Sequence, residues 1–154
     1  MMRIRLGLLV LAATLTASVH AHDYKAGSLH LIHPTTSSTT SGQDAVGVYL
    51  VIENVSAMPD RLVSASSEIA KEASLHAMNQ ASHNMHAASG LEIPAKGRIE
   101  LTESGSHVML MRLDRRLKAG ERFPLRLVFE KAGAVLVDVL VVGTTDVGGS
   151  HSAH

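Results

Sequence analysis

The chain has 154 residues, a length that suits one domain, with 14 basic and 14 acidic side chains and no cysteine. The missing thiols exclude a disulfide scaffold, a zinc–thiolate site, an iron–sulfur cluster and any copper centre that needs a thiolate. The charge balance offers no basic patch for nucleic acid or for an anionic lipid surface.

Residues 1–21 read as an export signal. Arg3 and Arg5 supply the positive start, the run LGLLVLAA at 6–13 the short apolar core, and Val19-His20-Ala21 the small-x-small pattern before a cut. The apolar run is too short to span a bilayer comfortably, and no other segment is long and apolar enough, so stable membrane insertion is not expected. Cleavage after Ala21 makes His22 the new N-terminus. It removes two basic residues and no acidic one, which leaves the mature chain two charges negative with histidine neutral. Nine of the ten histidines and five of the seven methionines remain, against only four aromatics: Tyr24, Tyr49, Phe123 and Phe129.

The mature domain, 22–142, reads as short strands between turn residues. SLHLIH at 28–33 stops at Pro34, and the polar run 35–42 (TTSSTTSG) is expected to be a loop. AVGVYLVIE at 45–53 is rich in β-branched residues and ends at Asn54. Residues 61–65 and 69–76 are two further strands; 67–78 also has the Ala, Glu and Lys content of a helix, but its strand neighbours favour strand. A brief strand at 90–94, the alternating RIELT at 98–102 and HVMLMRL at 107–113 follow. RFPLRLVFE at 122–130 and AVLVDVLVV at 134–142 close the domain around Lys131-Ala132-Gly133. Strands at this spacing indicate an all-β fold, an antiparallel sandwich or barrel. The tail 143–154 is small, polar and without periodicity.

Two segments concentrate possible metal ligands. One holds His76 and Met78, then His83, Met85 and His86; the other holds His107, Met109 and Met111. Residues two apart on a strand share a face, so each His-x-Met unit can present an imidazole and a thioether together. Thioether is soft and neutral and imidazole borderline, a combination that favours Cu(I) over zinc, magnesium or calcium. A lone strand methionine is usually core filler and a lone loop histidine is usually solvated; two units in an exported chain tilt the balance toward metal.

Met85, 21 intervening residues and then His107-x-Met109 resembles the second half of the motif of the periplasmic copper chaperones called PCuAC. The resemblance extends through His33-Pro34, Tyr49-Leu50-Val51-Ile52-Glu53-Asn54, Asp60-Arg61-Leu62, Ala73-Ser74-Leu75-His76, Gly90-Leu91-Glu92-Ile93-Pro94-Ala95 and His107-Val108-Met109-Leu110-Met111, covering about 28–142. It implies a cupredoxin-like β-sandwich holding one Cu(I) through His76, Met85, His107 and Met109. It also implies delivery of copper toward cytochrome c oxidase or a role in copper homeostasis, with a copper-accepting partner such as an oxidase subunit or another periplasmic chaperone. One departure stands out. The family usually places ten residues between the first His and the first Met, whereas eight separate His76 from Met85. Ser74 stands at the ten-residue position and cannot replace an imidazole. Either the loop is shorter and His76 still serves, or His83, His86 or Met78 takes a share; Met78 and Met111 otherwise read as supporting or core sulfur.

A terminal amine beside its own imidazole chelates Cu(II), so His22, with His151 and His154 of the tail, forms a candidate second site for that harder ion. Copper storage or tolerance is the neighbouring reading. An enzyme fits less well. No HExxH or serine-nucleophile motif is present, four protein ligands leave no place for substrate, and the chain lacks the aromatic surface a His-brace oxygenase would use. A non-metal sandwich would leave the His and Met without purpose beyond packing. A monomer is expected, with a copper-linked dimer as the other state.

Overall fold

The computed structural model describes residues 23–144. His22, His151, His154 and the signal reading at 1–21 lie outside the described residues. Eleven strands follow one another: β1 (Asp23–Ala26), β2 (Leu29–Ser37), β3 (Ala45–Asn54), β4 (Asp60–Ser66), β5 (Ala70–Met78), β6 (Met85–Ala88), β7 (Leu91–Ile93), β8 (Arg98–Leu101), β9 (His107–Leu113), β10 (Arg122–Phe129) and β11 (Gly133–Val142). Among the described residues no helix is long and apolar enough to cross a membrane.

The strands hydrogen-bond in the order β6-β5-β9-β3-β2-β11-β10-β4-β7, with β1 beside β2 and β8 beside β3. β3 belongs to both halves of this path. Its first part, Ala45 to Val48, pairs with β9, and its second, Leu50 to Glu53, pairs with β8. The change of partner at Tyr49 turns the sheet over on itself into a barrel-like sandwich. Period-two burial drives the closure: every second side chain is buried on β10 and, from Val137 onward, on β11, and one apolar cluster draws on both halves. Leu31, Val48, Leu62, Val108, Leu127 and Val139 are fully enclosed in it.

Pairing is antiparallel as expected except at one place. The end of β11 runs parallel to the end of β2, Leu140 to Val142 against Thr35 to Ser37. This contact also corrects the expectation that the run at 28–33 stops at Pro34 and that 35–42 is all loop. β2 continues through Pro34 by a bulge: the register slips between Ile32 and Thr35, and His33 adopts φ 51°. A proline lacks the amide proton for a ladder, and a bulge is where a strand can carry one. Beyond it Thr36 is buried and its hydroxyl donates to the Gly47 carbonyl at 2.7 Å. The 67–78 region is strand, held between β9 on one side and β6 on the other. β1 and β6, four residues each, carry no strand pattern of their own and form through their partners.

Candidate metal site

β5 and β9 pair so that His76 lies directly opposite His107 and Ser74 directly opposite Met109. Directly opposed residues share a face. β3 extends the same face, with Gly47 opposite Met109. β6 extends it on the other side, with Met85 opposite Met78 and Ala87 opposite His76. The alternating residues Val108 and Leu110 point the other way, into the core. The period of the strand therefore separates ligand-type side chains from apolar ones.

The two imidazoles stand edge to face with ring centroids 5.3 Å apart. His107 is only 6% exposed. Its Nδ1 lies 3.0 Å from the Gly105 carbonyl, which can only accept, so Nδ1 carries a proton and, in the neutral ring, Nε2 holds the lone pair. Tyr49 covers the other side of His107, its ring edge-on with centroids 6.1 Å apart. Gly47 makes this placement possible. A Cβ there would stand 2.8 Å from Tyr49 Cζ and 2.9 Å from Cε1, closer than real carbon contacts allow. Burial and the nearby Glu103 carboxylate both push the Tyr49 phenol above its usual range. Ser74 Oγ lies 3.1 Å from His76 Nε2, which turns that ring tip toward the Met109 side. Burial first, then the charge of His107, holds His76 below its usual pKa of 6.5, so it is neutral near neutral pH.

His107, Met109 and Tyr49 line a cleft of about 570 Å³ together with Gly47, Glu103 and Thr144. Among the described residues no three His, Cys, Asp or Glu side chains come together as a metal cluster. The methionines beside the two imidazoles are soft donors, a type that suits Cu(I) better than the hard cations.

The sequence-based candidates divide clearly. His76, His107 and Met109 come together, with His76 at the centre. Met85 shares their face but sits on the edge strand, 37% exposed. Met78 lies between it and the two imidazoles, and Met111 lies one pleat beyond Met109, opposite Glu72. His86 pairs with Ala77 and so points to the opposite face, while His83 sits exposed in the β5–β6 turn at φ 54°. Neither joins the two imidazoles. Ser74 stands at the ten-residue position and meets His76 as a hydrogen-bond partner. Sequence reasoning missed Tyr49, Gly47 and Gly105 as parts of the site. The alternation of β3 could have suggested the first two; the carbonyl of Gly105 has no sequence signal.

The fold and its His/Met face define a β-domain of the PCuAC type. The apo PCuAC domain from PmoF1 superposes with a TM-score of 0.73 at 31% identity, over 79% of this chain and 99% of that one. The copper-bound PCuAC domain from PmoF2 gives 0.72 at 26% identity, over 79% and 98%. The solution structure of CuI-DR1885 from Deinococcus radiodurans gives 0.64 at 26% identity, over 80% and 83%. Residues 29–141 match the sequence model of the LpqE-like family, a family named for lipoproteins. Lxx21020 of Leifsonia xyli subsp. xyli (strain CTCB07), likewise named as a lipoprotein, is 30% identical over 141 residues, covering 90% of this chain and 84% of its own length. The chain belongs to the LpqE-like family.

Proposed function

We propose that this protein binds Cu(I) on the β5–β9 face and carries it in the bacterial periplasm as a copper chaperone. The observation that carries the reading is the direct opposition of His76 and His107 with Met109 diagonal to both strands' shared face. His76, His107 and Met109 hold the ion, and Met85 joins the set when its exposed edge strand moves inward. The donor chemistry supports it: two imidazoles and two thioethers are neutral, soft enough for Cu(I) and free of a thiol that oxidation could remove. The copper-bound PmoF2 domain and CuI-DR1885 share the fold and support copper as the cargo. Residues 1–21 act as the export signal, and the acceptor is a copper protein such as a cytochrome c oxidase subunit. His22, His151 and His154 provide a second, Cu(II)-preferring site at the chain ends. The chain performs no catalysis in this reading.

Anaerobic titration of the purified protein with Cu(I) against a competing chelator tests it. One tight equivalent is expected, lost in His107→Ala and weakened in Met109→Leu. Absence of tight binding by the unaltered chain would sink the proposal. Retention of full affinity in His76→Ala would remove His76 from the set. Copper exchange with an acceptor domain separates a carrier from a store. Unchanged Cu(II) stoichiometry after deletion of 143–154 would remove the tail's role.

A further inference from the structure

The two thioethers of the ligand set stand on opposite sides of His76. Met109, directly opposite Ser74, is diagonal to His76 on one side, and Met85, directly opposite Met78, is diagonal to it on the other. On a pleated sheet each diagonal spans about 7–8 Å. Met85 and Met109, however, are two strands and two pleats apart, roughly 17 Å between Cα atoms. An ion beside His76 is thus near His107 and Met109, or near Met78 and Met85. The second pair is directly opposed across β5 and β6, the closest cross-strand relation a sheet provides.

Met78 stands outside the apolar core cluster. Its neighbour Ala77 packs against the core cluster, while Met78 is half-buried on the ligand face. Its backbone is tied to the main site: the Met78 N–H donates to Ser106 Oγ at 3.2 Å, one residue before His107. By register Met78 is also the diagonal neighbour of His107.

We propose that Met78 and Met85 form an outer Cu(I) position that shares His76 with the inner one and through which the ion enters and leaves. The proposal rests on the Cu(I) reading above. In the outer position the ion is held by Met78, Met85 and His76. Exchange of Met78 for His107, and then addition of Met109, carries it inward, and Met85 follows from its exposed edge strand. Only metal–ligand bonds change. Copper stays Cu(I), and the neutral thioethers release and take up no proton. The coordination number never has to fall to that of a bare His–copper pair, which is what makes the path fast.

The test is the rate of Cu(I) transfer from the loaded protein to a competing chelator, measured beside the equilibrium affinity. Met78→Leu conserves volume and leaves the fold intact. It is expected to slow transfer about tenfold, the loss of one stabilised step on the path, with affinity held within about twofold. Met111→Leu, on the same face but beyond Met109, is expected to change neither. An unchanged rate in Met78→Leu overturns the outer position. An affinity loss equal to that of Met109→Leu overturns it too, because Met78 is then a resident ligand. Equal slowing in Met111→Leu overturns it as a general effect of losing sulfur. Failure of the unaltered protein to bind Cu(I) defeats the underlying function instead.

Discussion

His107 has one ring nitrogen committed and one free, and the strand that carries it explains both. The turn before β9 brings the Gly105 carbonyl within 3.0 Å of Nδ1, and burial keeps water from competing for that bond. His76 is tuned by its neighbours in a different way. Burial and the facing His107 both disfavour its imidazolium, so the folded chain takes up this proton at a pH below 6.5. The unfolded chain binds more protons in that window. Stability is therefore full above 6.5, falls as the pH drops through it, and levels off once folded His76 itself protonates. An NMR titration is expected to show the His76 ring titrating below 6.5, and closer to it in His107→Leu. A titration unaltered by His107→Leu would remove the charge contribution. Copper binding should weaken over the same acidic range, because protons compete for imidazole and not for thioether. Gly47 offers a second check at this scale. Gly47→Ala forces the Tyr49 ring aside and should cost about 1–3 kcal/mol in denaturant unfolding, the usual range for overpacking. Combining it with Tyr49→Leu should recover part of the loss, whereas strictly additive costs would show that the two residues do not press on each other.

Among the elements, the turns and bulges decide which side chains reach the ligand face. Arg112 follows Met111 on β9, where strict alternation would aim it with Val108 and Leu110 into the core. Its φ of 56° redirects it outward, and its guanidinium meets Glu72 at 2.5 Å. That ion pair is exposed and contributes little stability by itself; the left-handed backbone at Arg112 matters because it keeps a charge out of the core. Asp60 performs a comparable task at the far end of the domain. Its buried carboxylate accepts from the backbone N–H groups of Arg61 at 2.7 Å, Lys131 at 2.9 Å and Ala132 at 3.0 Å. It thereby ties β4 to the β10–β11 turn, which ends on Gly133 at φ 79°. Asp60→Ala leaves those donors unpaired and should destabilise the fold by about 3 kcal/mol in a denaturant titration, with Asp60→Asn intermediate. A cost under about 1 kcal/mol would mean that water replaces the carboxylate. Most of these strands were legible from alternation and turn residues, as at 45–53, 107–113 and 134–142. β6 was not, because MHAA has no pattern that separates strand from loop and only the register with β5 makes it one.

At the scale of the molecule, one core without a disulfide or a tryptophan carries the fold, and the ligand face lies on its outer side. Loss of a core side chain should therefore propagate. Leu127→Ala, at a fully enclosed position, should cost about 2–5 kcal/mol. Copper acts in the opposite sense, since an ion that binds only the folded chain stabilises it by mass action. With free Cu(I) buffered at a hundred times its dissociation constant, the gain should be about 2.7 kcal/mol, read as a raised melting temperature that His107→Ala abolishes. An equal rise in that variant would place the copper elsewhere.

The sequence by itself determined the all-β class, the order of most strands and the residue types of the site. Period-two alternation and soft-ligand chemistry are local properties that need no partner strand to read. What only the tertiary structure decided is which candidate ligands meet. Cross-strand register set His76 opposite His107, moved His86 to the other face and left Met85 and Met109 on opposite sides of His76. A slip of one residue would have reversed every face, and register depends on contacts between segments far apart in the chain. The parallel pairing of β11 with β2 and the continuation of β2 through Pro34 belong to the same class of outcome: a buried edge must satisfy its backbone groups, and the strand that does so is chosen in space rather than along the sequence.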